Sequence, residues 1–460
     1  MKDRIMMPIW TIGVFIVVMN TTMFNVSMPS IIQDLDITAD LGSWVISSYS
    51  IGYALSTVLF SRLTDIAPLR RLLAVGLTIL GLSSLVGLFA NGFEVLLAAR
   101  ILQSAGAGTM AGLGLVMVSR YIPAERRGRS IAMISSGSAM AFGLGPIIGG
   151  LVSEYIGWNG LFGITCLVIV LLPILLRLLP RETGRAKPNE KFDGVGAALT
   201  VVNATALLLA VTQLSYLWLA VSLVSIAFHV LWLRRGKSGS FINPELFRLK
   251  GYKYLMVIGL CLLMLNLGNL FLMPLALSTL FGKSALAVGL FIAPGAILST
   301  LVSRFVGRWI DQYGNLRFLL LGQAVLGAAM LFFALTLDRS PYIVLIGYLF
   351  ISPSFTASLS SLNNESTQLL PRNLVGSGMG FLQLVQFFGG SLSVAMCGLL
   401  LEHQKHVSMA QAFDRVYGVL GFIVLGSLAV TVGYLLFGGG TLRSGEQARK
   451  ARTLAAAERN

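Results

Sequence analysis

The chain has 460 residues, 55% of them hydrophobic and only 12% charged, and its mean hydropathy is +0.81. Those values exclude a soluble globular protein and a disordered one, and leave a polytopic membrane protein. A net charge of +15 would suggest nucleic acid in a soluble domain, but here Lys and Arg fall mostly in short loops between apolar runs, with no helix-turn-helix or RNA-binding signature, so nucleic acid is excluded.

The amino terminus places Lys2 and Arg4 before an apolar run that continues to Met28 with no small-residue cleavage site, which reads as a retained first span. Further windows of spanning length lie near residues 44–62, 71–91, 94–118, 129–153 and 158–179, so six helices precede a basic gap at 181–191. Two more, near 194–213 and 216–233, lead to a polar stretch at 234–253. Six follow near 254–277, 285–306, 317–336, 342–362, 377–401 and 416–437, which makes about 14 spans. With both termini in the cytoplasm, only Lys283, Arg339, Lys405 and Arg415 fall outside. Arg70, Arg71, Arg126, Arg127, Arg129, Arg181, Arg185, Arg234, Arg235 and the tail from Arg443 to Arg459 fall inside.

In the fourth window one guanidinium, Arg100, sits in an otherwise apolar run and is followed by Gln103, Gly106, Gly108, Gly112 and Gly114. A charge in hydrocarbon costs about 2.5 to 3.5 kcal/mol on insertion scales, so Arg100 reads as lining a polar cavity. Snorkelling to a headgroup is disfavoured because Glu94 and the wet end lie more than a helical turn away. The fifth span carries Gly137, Gly143, Gly145, Pro146, Gly149 and Gly150, a composition that permits close helix contact and flexing, as a gate requires.

An internal repeat organises the whole. Arg62, Asp65 and Arg71 return with the same spacing as Arg308, Asp311 and Arg317, each set in a loop after an even-numbered span. Less clearly, Gly149-Gly150 then Glu154 is echoed by Gly389-Gly390 then Glu402. The expectation is an all-α membrane protein of two parallel six-helix bundles, residues 1–180 and 251–438, joined by a linker with two extra spans at 181–250 and followed by a basic cytoplasmic tail at 439–460. Such duplication implies halves that rock about a midplane cavity. Asp65 with Arg70 and Arg71 reads as a charge relay clasping the second and third spans, and its duplication as Asp311 and Arg317 weighs against a loop that merely obeys the positive-inside rule.

Asn20, Thr21, Thr22 and Asn25, before Pro29, form a polar stripe that either lines the cavity or glues helices together. Tyr49 and Tyr53 can stack on an aromatic substrate, whereas Trp44 lies where interfacial belts place such rings. Asn266, Asn269, Asn363, Asn364, Gln383 and Gln386 add amides from the second half. No Asp or Glu falls in the middle of a span, so Arg100 faces no carboxylate there and the cavity favours neutral, zwitterionic or anionic solutes over permanent cations. Cys166, Cys261 and Cys397 stand singly in apolar spans and imply neither disulfide nor zinc; no metal, no other cofactor and no catalytic constellation is expected.

These residues resemble the major facilitator superfamily, and within it the 14-span drug:proton antiporters that include tetracycline and multidrug exporters, over nearly the whole chain. The family's loop motif G-x-L-A-D-R-x-G-R-K is matched at Leu63 and Asp65, with Arg70 in place of its last lysine and Ser61 and Pro68 in place of its glycines. The fourth-span motif R-x-x-Q-x-x-G-A-G is matched outright at Arg100, Gln103, Gly106, Ala107 and Gly108, and the resemblance implies that this arginine serves proton coupling. The antiporter motif is matched at Gly145, Pro146, Gly149 and Gly150, with Ala132 and Ala141 where glycines are expected; Phe192-Asp193 then Gly196 resembles the start of the extra helix pair. The first-span pattern L-D-x-T-x-x-N-V-A-L-P is similar to Met19 through Pro29, but the family's aspartate is Asn20 here, which argues against a quaternary-ammonium pump.

The resemblance implies a bacterial inner-membrane exporter that exchanges protons for an amphipathic drug or metabolite by alternating access, with a specific carrier of an anionic metabolite such as a siderophore or organic acid as the alternative. Arg100, Asp65 and Glu154 are the candidate coupling groups. The expected partners are a small-molecule substrate, protons and membrane lipid, with the chain acting as a monomer.

Overall fold

The computed structural model describes residues 2–64, 66–179, 193–234, 241–371, 374–404 and 406–437. Among them there is no strand. The first half comprises α1 (Lys2–Asp34), α2 (Ala39–Leu63), α3 (Leu69–Leu88), α4 (Phe93–Tyr121), α5 (Ala124–Tyr155), α6 (Gly160–Cys166) and α7 (Val168–Leu178). Then come α8 (Gly194–Thr212) and α9 (Tyr216–Arg234), and a second half of α10 (Lys250–Phe281), α11 (Ala285–Tyr313), α12 (Asn315–Thr336), α13 (Pro341–Leu369), α14 (Val375–His403) and α15 (Met409–Phe437). The expected gap at 181–191 and the tail at 439–460 lie outside the described residues.

Backbone polar groups have no water to bond in hydrocarbon, so an apolar chain of this kind satisfies them within helices. Among the described residues thirteen spans are long and apolar enough to cross a membrane, α6 and α7 together forming one of them. The fourteenth by length is α2, made less apolar by Ser43, Ser47, Ser48, Ser50 and Ser56 along it. Several helices outrun the expected windows because polar ends, such as Ser30–Asp34 of α1, stay helical beyond the apolar run. Within the sixth span the break falls at Leu167, whose N–H bonds back to Ile164 O in a tighter turn. Caps set other ends: Ser284 accepts from Ala287 N at the start of α11, and Gly282, left-handed at φ 59°, closes α10.

Packing repeats helix for helix. In the first half α1 lies on α5, α2 on α4, and α3 on α4 and the sixth span; in the second α10 lies on α14, α11 on α13, and α12 on α13 and α15. Between the halves α5 meets α11, α14 meets α2, and α1 meets α10, so each half offers its fifth helix to the other's second. The extra pair α8 and α9 pack together, and α8 also touches α14 and α2.

An even number of spans returns α15 to the side on which α1 starts; that side is termed the terminal face and the opposite one the distal face. Toward the distal face one apolar core is common to both halves, with Met23, Phe24, Met28 and Ile31 of α1 joined to Leu270, Phe271, Leu272 and Val288. Toward the terminal face the first half has its own cluster of Met6, Met7, Trp10, Leu73 and Met117, and the second has Leu246, Tyr252, Leu370, Leu374 and Leu382. Phe387 of α14 reaches the first of these clusters, where it meets Tyr53 edge-on at 5.4 Å between ring centroids.

Candidate functional site

The fourth-span glycines explain how Arg100 reaches the interior of the first bundle. A Cβ on Gly106 would lie 2.4 Å from Gly76 O of α3, and one on Gly108 would lie 2.3 Å from Thr57 N of α2. Only a bare backbone fits between those two helices, and that contact sets the rotation of α4 about its axis. Shortly before these glycines, on the same helix, Arg100 and Gln103 are then turned inward and are 1% and 0% exposed.

Around the guanidinium the first bundle supplies oxygens and ring faces in place of a carboxylate. Nε donates to Val45 O at 3.2 Å, while Nη1 donates to Gln103 Oε1 at 2.8 Å and to Asn20 Oδ1. The planar group is held between Phe24 and Tyr49, 4.0 and 3.9 Å from their ring centroids. Both amides pass the chain on: Asn20 Nδ2 donates to Thr165 Oγ1 at 2.7 Å, and Gln103 Nε2 to Ser84 Oγ at 2.9 Å. Thr165 and Ser84 end it by donating to Leu161 O and Leu80 O of their own helices. Five helices, α1, α2, α3, α4 and α6, therefore meet on one charge.

Burying an ion costs several kcal/mol after relaxation. Charge-assisted hydrogen bonds return about 1.5 to 3 kcal/mol each and a desolvated ring face about 2 kcal/mol. Three bonds and two faces are enough to offset the burial with no counter-ion, and among the described residues no carboxylate pairs with Arg100.

The other candidate cavity residues fall into separate groups. Thr21 donates to Val18 O within α1, and Asn25, 2% exposed, donates to Thr21 O while its Oδ1 is buried without a partner. Tyr49 donates to Val17 O at 3.4 Å and stacks on Tyr53 at 6.3 Å, so an aromatic run leads from Arg100 through Tyr49 and Tyr53 to Phe387 in the other half. In the second half Asn269 accepts from Tyr417 OH at 3.1 Å, Gln386 donates to Asn363 Oδ1 at 3.4 Å, Asn266 is buried and Gln383 is half-buried. The structure thus gathers Asn20, Tyr49, Arg100 and Gln103 into one knot and keeps the second-half amides apart from it.

The fifth-span motif is where bundles touch. A Cβ on Gly145 would lie 1.9 Å from Thr22 Oγ1, and one on Gly149 would lie 2.7 Å from Met23 Cα, so both face α1 within the first bundle. A Cβ on Gly150 would instead lie 2.6 Å from Ala285 O of α11, and Pro146 O lies 2.3 Å from the corresponding point on Gly289. Glu154, exposed at the distal end of α5, accepts from Leu286 N at 3.4 Å. Across the pseudo-symmetric seam, Gly398 of α14 presses on Ala39, Asp40 and Ser43 of α2, and Ser47 donates to Ser391 O at 2.9 Å.

At the terminal face, Asp65 lies outside the described residues; Arg70 is half-buried and Arg71 exposed at the start of α3. In the second copy Asp311 is helical, with its side chain outside the description, and Arg317 is exposed. Two clasps here escaped the sequence reading. Arg120, at the end of α4, donates to Thr64 O beside the repeat loop at 3.0 Å. The corresponding end of α13 presents Glu365, which accepts from Asn315 Nδ2 at 2.7 Å and from Tyr434 OH at 2.8 Å. Among the partners of Arg100, Phe24 was legible in principle, being one helical turn from Asn20, whereas Val45 O, Ser84 and Thr165 left no signal.

Two helix-for-helix repeated bundles, closed on each other by small residues at one face, define a membrane transporter rather than an enzyme. The Major Facilitator Superfamily profile matches residues 10–394, and the chain belongs to that family. It is 26% identical to the riboflavin transporter RibZ of Clostridioides difficile (strain 630), over 95% of this chain and 98% of that protein. It is 25% identical to the multidrug resistance protein Stp of Mycobacterium tuberculosis (strain ATCC 25618 / H37Rv), over 88% of this chain and 77% of that one. Among solved structures, a peptide transporter POT variant superposes with a TM-score of 0.69 at 15% identity, covering 93% of this chain and 94% of that one. A nucleoside transporter NupG variant does so with a TM-score of 0.65 at 14% identity, covering 94% and 99%. At such identities these two speak for the fold.

Proposed function

We propose that the protein is a secondary active exporter of an amphipathic organic compound, a drug or a metabolite, working by alternating access in exchange for protons as a 14-span antiporter of the bacterial inner membrane. The observation that carries this reading is the uneven seam between the halves: a shared core and backbone-to-backbone contacts toward the distal face, separate cores toward the terminal face. With both termini in the cytoplasm this is an inward-facing carrier, and reversing the unevenness delivers solute to the other side.

Arg100 without a carboxylate partner makes the interior of the first bundle positive, which favours neutral, zwitterionic or anionic solutes. The same charge favours the second reading, a carrier of one anionic metabolite. The similarity to a riboflavin transporter makes flavins the first compounds to assay. For the coupling ion, Glu154 holds an anion against the first turn of α11; neutralising it removes a favourable helix-dipole interaction and loosens the distal seam. Arg100 and Asp65 complete the proposed coupling set, and the monomer is the proposed working unit.

Everted membrane vesicles with an imposed proton gradient test the reading. A gradient that collapses on adding a flavin or an amphipathic drug supports exchange. Solute uptake that leaves the gradient untouched argues for a facilitator, and a gradient collapsed only by organic acids moves the assignment to the second reading.

A further inference from the structure

The extra helix pair is built inside out. Along α9 the outward side chains are apolar, with Leu223, Val224 and Leu231 among the exposed ones, whereas its buried side chains are Ser222, Ser225 and His229. These three fall at helical spacing on the face turned to α8. There His229 Nδ1 lies 3.0 Å from Asn203 Nδ2. Four polar atoms in this seam are buried without a partner: His229 Nε2, Asn203 Oδ1, Ser222 Oγ and Ser225 Oγ. Polar residues that serve only to glue two helices satisfy one another, because an orphaned polar group in an apolar medium costs free energy. These do not, and His229 is only 6% exposed.

We propose that the seam between α8 and α9 is a proton-binding site, with His229 as the acceptor and bound water on the two serines and the amide. In the neutral state Asn203 donates to Nδ1, so the ring carries its hydrogen on Nε2, and one water can accept from Nε2–H while donating to Asn203 Oδ1. Uptake of a proton from water adds it to Nδ1 and leaves a cation; the Asn203 amide then turns over to present Oδ1 to the new donor, while Nε2–H keeps its water. Toward the terminal face the seam ends at Asp193, which accepts from Trp232 Nε1 at 3.0 Å and so brings a carboxylate to α9. Asp193 is also the only acidic or basic side chain that α8 and its cap bring to α9; on α9 itself Arg234 stands in the last turn. Because α8 rests on both α14 and α2, a charge gained in this pair acts on helices that meet across the seam of the two bundles.

The chain has three histidines, and the other two are exposed, His403 as the last residue of α14 and His406 just beyond it. In full-length protein labelled with nitrogen-15 histidine, carrying His403→Gln and His406→Gln, the ring nitrogens of His229 are expected to titrate reversibly within the pH range over which the protein stays folded. Asn203→Leu, which removes the turning amide, should displace that midpoint. A ring held in one neutral tautomer across the range overturns the proposal, as does a midpoint indifferent to Asn203. This readout needs no transported solute. A second arm rests on the proton-exchange reading: His229→Gln, an amide that cannot titrate, should shift the pH profile of transport without abolishing it. A titrating His229 with no transport of any solute would sink the exporter reading alone.

Discussion

Replacing Arg100 with lysine keeps the charge and removes the shape, so it isolates what the planar group does. In the native bundle one nitrogen, Nη1, serves both Asn20 and Gln103, and a lysine ammonium placed there can keep both bonds. Two things are lost: the Nε bond to Val45 O, and the fit of a flat cation between Phe24 and Tyr49. The bond is worth about 1.5 kcal/mol as a charged donor, and the poorer fit between two desolvated rings about 1 to 2 kcal/mol. An ammonium is also more strongly hydrated than a guanidinium, so its burial adds to the loss. A total of about 3 kcal/mol corresponds to a fall in Tm of roughly 6 to 12 °C for a unit of 150 to 250 residues. Thermal unfolding of the detergent-solubilised protein, followed by tryptophan fluorescence, measures it, since Trp10, Trp44 and Trp158 all report on the first bundle. A variant that unfolds within about 2 °C of the native protein refutes the stacked, five-helix knot. So does an Arg100→Met variant that is more stable than the native chain, because its bonds would then fail to offset the burial of charge.

The two neighbouring glycines of α5 should separate folding from gating. Gly149→Ala drives a Cβ into Met23 Cα inside one bundle, and should cost about 1 to 3 kcal/mol of stability without moving the halves apart. Gly150→Ala meets Ala285 O of the other half, and should lengthen spin-label distances between the distal ends of α5 and α11 while leaving Tm nearly unchanged; the reverse pattern refutes the assignment of faces. Glu154→Gln should loosen the same distal seam at neutral pH, and unchanged distances would remove Glu154 from the proposed coupling set. At the start of α8, burial pushes the Asp193 carboxyl up, but hydrogen bonds from Phe241 N, Gly196 N and Trp232 outweigh it and hold it below the ordinary range. A depressed carboxylate stabilises above its unfolded value of about 3.9 and ceases to do so as pH falls through the folded value. The Tm deficit of Asp193→Asn should therefore be greatest at neutral pH and fade in acid below about pH 4; a deficit that grows in acid contradicts it.

What could be read from the sequence was whatever leaves a period or a spacing. Fourteen apolar windows and the returning Arg62–Asp65–Arg71 pattern speak for the duplicated helix packing, because span length and loop charge are written locally. Arg100 and Gln103 were legible as a pair, since an arginine in hydrocarbon demands an account. Their surroundings were not: Val45 O is a main-chain atom with no residue-type signature, and Thr165 and Ser84 are small hydroxyls of a kind that recurs along most spans. The same limit hid the polar face of α9, whose serines and histidine are separated by apolar residues and become a stripe only when wound at 3.6 residues per turn. On sequence the polar stripe of α1 is open between cavity lining and glue, and in the structure its two asparagines are bonded differently. Asn20 is bonded on both sides, to Arg100 and Thr165, whereas Asn25, little more than a turn further on, keeps one buried oxygen without a partner. A chain with asparagine at position 20 holds its central cation on neutral groups, so protonation there has no carboxylate to neutralise. Under the proposed exchange of protons, the coupling group then acts from elsewhere, and the places proposed for it are the ends of spans, as at Glu154, and the polar seam of the added pair.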